Sequence, residues 1–197
     1  MLLKTHIKYA IILYNHLQKN NSNIKINKFL FIIGHILPDY FIPKYFFKVH
    51  NFNNYLFELK YSLNCILKRK NLSIHLGIVL HLIQDQFCKY HNLKNNIPIL
   101  LKHAKYEKDF HKYFIVFFDK FKLNKHPLIS IDDWLRSKDI IDQIKIIHDE
   151  YMQQVLNMDT DFKYSFMACI YLMHLIEIIY QNDEIKQIHL QNILYMI

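Results

Sequence analysis

"HLGIVLHLIQDQFCKYHN", from His75 to Asn92, reads as the buried face of a helix that runs to about Tyr90 and then gives way to a loop. Such a pattern belongs to a core helix, yet it carries His81, Asp85 and His91. Residues four apart share a helical face, so His81 and Asp85 can bind one ion together. The next helix repeats the device with His103 and Glu107. There Lys102, Lys105, Lys108 and Lys112 form a separate stripe that faces water. The stripe through His103, Glu107, Phe110 and Phe114 therefore faces inward. A buried carboxylate is costly unless it is paired or bound to metal. Between the two pairs lies His91, in the connecting loop.

Working outward, the chain of 197 residues holds two glycines and four prolines. So few breakers predict long helices rather than a sheet with many tight turns. The expected architecture is all-α, a single compact multi-helix domain over residues 1–197. Helices are expected at about 3–18, 53–70, 71–90, 98–121, 131–157 and 161–181, with a short one in the tail after Asn182. The segment "INKFLFIIGHIL" is expected to be helical and to stop at Pro38, because the residue before a proline resists the helical region. "PDYFIPKYFFKVHN" then reads as an irregular aromatic connection. Asn71 or Ser73 is the expected cap of the helix that holds His81. Pro98 suits a first helical turn. "KLNKHPLIS" reads as a linker and "SIDDW" as a helix start.

The net charge of +8 favours anionic partners such as anionic lipid, nucleic acid or phosphorylated small molecules, and equally serves solubility. Cys65, Cys88 and Cys169 are odd in number, widely spaced and without a CxxC, which fits reduced buried thiols. The opening residues show no small-residue cleavage site, and no uncharged apolar run reaches 18 residues. Tyr164–Ile179 comes nearest, but His174 and Glu177 make it a core helix. No leader and no transmembrane segment are therefore expected, which points to the cytoplasm.

A histidine is followed four residues later by an acid three times, at His35/Asp39, His81/Asp85 and His103/Glu107, where composition alone supplies about one. Pro38 is expected to interrupt the first. His75 lies six residues before His81, about 120° round the helix, and falls outside the set. The order of the whole set is more specific. It runs His6, Asp39 after a proline, His50, His81/Asp85, His91 and His103/Glu107. In "GHILPDY", "HLGIVLHLIQDQFCKYHN" and "HAKYE" the chain resembles the bacterial zinc-dependent phospholipase C family, which shares its helical fold with the S1/P1 nucleases. The resemblance spans roughly residues 6–107.

The resemblance implies two or three zinc ions in a cleft between helices. Asp39, His50, His81 and Asp85 would hold one, and His91, His103 and Glu107 a second. His6 would hold a third, bridged to the first by Asp85. In the family an N-terminal tryptophan completes that third site through its amine and carbonyl. Here Trp134 is the only tryptophan, and Met1 stands first. Imidazole and carboxylate donors without thiolate suit a catalytic zinc site, and Cys88 is not in the pattern.

The implied activity is phosphodiester hydrolysis by metal-activated water, with Asp39 as the catalytic carboxylate that orients or deprotonates it. A phospholipid headgroup is the first substrate expected, with peripheral membrane contact. A single-stranded nucleic acid is the second. The rival reading is a helical metal-binding protein without turnover.

Overall fold

In the computed structural model, residues 1–19, 24–41, 52–92, 97–118 and 140–194 are described. Among them are eight α-helices and no strand. These are α1 (Leu3–Lys19), α2 (Lys28–Phe41), α3 (Phe52–Leu67), α4 (Leu72–Gln86), α5 (Ile97–Phe118), α6 (Ile140–Met152), α7 (Met158–Gln181) and α8 (Asp183–Leu194). A 3₁₀ turn, Lys89–His91, follows α4. The linker and the "SIDDW" helix start lie outside the described residues.

The helix α4 is the axis of the fold. From Val79 to Gln86 every residue is buried, which is the signature of a helix surrounded by others. It packs against α2, α3 and α7, and most closely against α2. Two glycines permit that approach. A Cβ on Gly77 would lie 2.8 Å from the Gly34 Cα and collide with the Phe31 carbonyl, and one on Gly34 would collide with the Ile74 carbonyl. Around this axis α1 turns inward a stripe through His6, Tyr9, Ala10, Leu13 and Leu17, while Lys4 and Lys8 face water. The Tyr9 ring stacks on Phe114 of α5 at 4.4 Å, and its hydroxyl donates to Ser165 of α7 at 2.7 Å. Ser165 in turn donates to the Phe162 carbonyl, which fixes the direction of the chain. The α5 stripes are as expected, with the four lysines exposed and Phe110 and Phe114 buried.

Two local readings are corrected. The helix α2 does not stop at Pro38 but runs through it to Phe41. A proline this close to the C-terminus removes only one intrahelical hydrogen bond, to the Gly34 carbonyl, and the last turn survives. His35 and Asp39 are therefore on one helix after all. Asn71 does precede α4, but at φ 45° and without a side-chain cap bond. Ser73 instead accepts from the Asn27 backbone N–H, tying α4 to the start of α2. The strongest cap is elsewhere: the Asn157 side chain accepts from the Asp159 and Thr160 N–H groups at the start of α7.

All three cysteines are buried and free. Among the described residues α7 is the one helix long and apolar enough to cross a membrane, and 56% of its apolar window is buried inside the protein.

Candidate metal centre

Seven of the eight residues selected from sequence are described, and they converge; His50 lies outside the described residues. The centre of the cluster is Asp85, buried in the last turn of α4. Its Oδ1 is 3.0 Å from the Met1 amine and 3.3 Å from His6 Nε2. Its Oδ2 is 3.5 Å from His81 Nε2 and 3.7 Å from His91 Nδ1. One carboxylate thus faces α1 with one oxygen and the α4–turn segment with the other. Asp39, from the last turn of α2, lies 3.5 Å from His81 Nε2. His6, Asp39, His81 and Asp85 each offer a ligand atom within 4.8 Å of the others.

Beside this group lies a second. His91 Nε2 is 3.1 Å from His103 Nε2 and 3.7 Å from Glu107 Oε1. His103 Nε2 is 2.9 Å from the same Glu107 oxygen. The Met1 amine joins the groups, because it is also 3.0 Å from Glu107 Oε1. Cys88, left out of the sequence pattern, is brought to His91 and His103, again within 4.8 Å.

The ring orientations are set by a chain of hydrogen bonds that the sequence reading missed. His81 Nδ1 donates to the His35 carbonyl at 2.6 Å. A carbonyl can only accept, so Nδ1 carries the proton and Nε2 of the neutral ring carries the lone pair. His35 Nδ1 faces the Phe31 carbonyl, so His35 Nε2 accepts from the Gln84 amide at 3.3 Å. The Gln84 oxygen then accepts from His6 Nδ1 at 2.9 Å. Both His6 and His81 therefore aim a lone pair at carboxylate oxygens, their rings stacked at 3.8 Å. His6 Nε2 is buried and makes no hydrogen bond there. Acceptors facing acceptors in a buried site repel, and a cation among them turns the repulsion into ligation. Imidazoles locked by a carbonyl or amide behind them are the usual outer support of metal-binding histidines. By donor type, tautomer and convergence the residues fit zinc.

Without metal, protons and the Met1 amine balance the charge. Burial alone would raise Asp85, but the Met1 amine, His91 and His81 hold its pKa well below the usual carboxylate range. Glu107 is lowered likewise by the Met1 amine, His103 and His91, against burial. Burial opposes the charge on the Met1 amine, yet Asp85 and Glu107 raise its pKa. The stacked histidines diverge. Burial and the neighbouring His81 lower His6, whereas Asp85 and Asp39 overcome burial and raise His81.

A further acid supports the second group from below. Asp161 of α7 is buried and accepts from the Lys89 N–H at 2.8 Å, Tyr106 at 2.7 Å and Tyr151 at 2.8 Å. It thereby ties the His91 turn and the residue beside Glu107 to the core. Nothing in the motif pattern pointed to Asp161, which follows His91 by 70 positions.

An all-α protein with two adjoining groups of imidazole and carboxylate donors is the class that fold and site define. The family model for zinc-dependent phospholipase C matches residues 5–158, more than half of the chain, and the chain belongs to that family. The match extends well past the motif-bearing residues 6–107. No curated protein and no solved structure matches the chain.

Proposed function

We propose that this protein is a zinc-dependent phosphodiester hydrolase acting on phospholipid headgroups. The observation that carries the reading is the paired lone pairs of His6 and His81, locked from behind and aimed at Asp85 and Asp39. Family membership supports a phospholipid as the substrate. His6, Asp39, His81 and Asp85 would hold metal in the deep group, with His50 the further ligand that the family resemblance implies; His91, His103 and Glu107 would hold it at the rim. Asp85, with its oxygens turned to different partners, would be the carboxylate shared between metal ions. The Met1 amine stands where it can complete the His6 position. Bound zinc supplies Lewis-acid activation of water and neutralises the phosphate.

Within the deep group Asp39 is the open side, its side chain 27% exposed against 2% or less for the other three. It is therefore the group placed to orient an incoming water and take its proton. The partly exposed Glu107 and His103 form the other accessible edge, with 15% and 20% exposure.

The test is zinc-loaded protein, its metal content measured per chain, given phosphatidylcholine vesicles and, separately, single-stranded DNA. Release of phosphocholine, lost in Asp39→Asn, is expected. Cleavage of the DNA alone would replace the lipid reading by a nuclease. Two or three zinc ions with neither product would leave a metal-holding protein without turnover.

A further inference from the structure

The rim group has a fourth candidate donor. Cys88 sits between α4 and the 3₁₀ turn, and its Sγ, a His91 ring nitrogen and a His103 ring nitrogen lie within 4.8 Å of one another. The thiol is 3% exposed by residue. Its position is fixed from both sides by backbone bonds. The Cys88 N–H donates to the Asp85 carbonyl at 3.3 Å, and the Cys88 carbonyl accepts from the His91 N–H at 3.0 Å. The Asn92 amide also donates to that carbonyl and to that of Gln86, while its oxygen meets His148 Nε2 at 2.9 Å. The turn therefore presents Cys88 and His91 together, as a preorganised pair. Cys169 differs: its thiol donates to the Leu80 carbonyl and receives the Gln84 amide, so it is engaged in the core. No hydrogen-bond partner among the described residues engages the Cys88 thiol.

We propose that Cys88 is a thiolate ligand of the metal held by His91 and His103, so that the rim metal has a sulfur donor and the deep metal has none. The inference rests on the metal-cluster reading given under Proposed function. Thiolate and imidazole together favour zinc over magnesium, calcium and manganese. Burial pushes the Cys88 pKa up, so the free thiol keeps its proton in the apoprotein. Metal binding exchanges the S–H bond for a metal–sulfur bond and releases that proton to solvent; no electron is transferred. Sulfur ligation donates more charge than carboxylate, which makes the rim metal the weaker Lewis acid of the two. The division of labour follows: the rim metal positions, and the deep group, with the open Asp39, activates.

The experiment replaces zinc by cobalt(II) in the full chain and reads the near-ultraviolet thiolate-to-cobalt charge-transfer absorption, beside cobalt content per chain. The expected result is a band in the wild type that persists in the Cys65→Ala/Cys169→Ala double variant and disappears in Cys88→Ala. If Cys88→Ala does not fold, the band of the double variant still assigns the sulfur, since Cys88 is then the sole cysteine. Cobalt bound in full with no such band would overturn the ligand and leave the cluster standing. No cobalt or zinc bound at all would overturn both.

Discussion

His6, Asp39, His81 and Asp85 come from three different helices and, Asp39 apart, are fully inside the core. His91, His103 and Glu107 come from one turn and one helix; His91 is buried, while His103 and Glu107 lie nearer the surface. The deep group is assembled by tertiary packing: α1 must lie on α4, and α2 must cross it closely, before His6 and Asp39 meet the His81/Asp85 pair of α4. The rim group is held by a few hydrogen bonds, the local ones of Asn92 to the turn and the long-range ones of Asp161 to Lys89 and Tyr106. The first is expected to last as long as the fold itself, and the second to loosen before it.

The largest test of that contrast is Asp85→Ala against His103→Ala in the metal-free protein. Removing Asp85 leaves the buried Met1 amine with one carboxylate fewer and should cost about 3–5 kcal/mol in a urea denaturation series. His103→Ala, at a partly exposed position, should cost under about 1 kcal/mol. Equal losses would break the comparison.

Next in size is the pH response of the support beneath the rim. Burial raises Asp161 to about 6, although the Lys89 N–H and two tyrosine hydroxyls oppose the shift. A carboxyl with a raised folded pKa favours folding while protonated. Its contribution is therefore complete below the unfolded value near 4 and is lost as pH rises to about 6. The loss amounts to about 3 kcal/mol. Subtracting the Asp161→Asn stability profile from that of the wild type should show this decline between pH 4 and 6. A flat difference would remove Asp161 as a burdened acid.

Gln84→Leu keeps volume but removes the acceptor behind His6. Zinc affinity of the deep group should fall about 10–100-fold, as for other supports behind metal-binding histidines. The cobalt signal of the rim group should remain. Loss of both together would mean that the two groups bind as one unit. The smallest effect is expected for Asn92→Ala, which frees the Cys88–His91 turn. Rim affinity should drop by roughly tenfold, about 1.4 kcal/mol, without change in the deep group.

What the sequence made legible divides along the same line. His81/Asp85 and His103/Glu107 could be read because a helix converts spacing four into proximity without help from the rest of the chain. His35 could not be given its role, because its backbone carbonyl and not its ring faces His81, across a helix crossing that no local pattern specifies. Gln84 was hidden for the same reason, lying beside its ligands in sequence but acting across to His6 of α1 and His35 of α2. Pro38 was over-read as a stop, since its cost depends on where in the helix it falls. Asp161 and His148 meet the site only through the packing of α6 and α7, long after the motif has ended. Cys88 was set aside because the family pattern has no sulfur, although its place three residues before His91 was visible.

The Gly34–Gly77 crossing has a consequence for how such sites are found and built. These two residues have no side chain and no chemistry, yet they act as the gauge that sets the distance between the His35 carbonyl and His81. A large residue at either position would leave every ligand in the sequence and still empty the site. A search for this kind of centre, or a design of one, should therefore ask for the pair of glycines with the same strictness as for the histidines they bring into range.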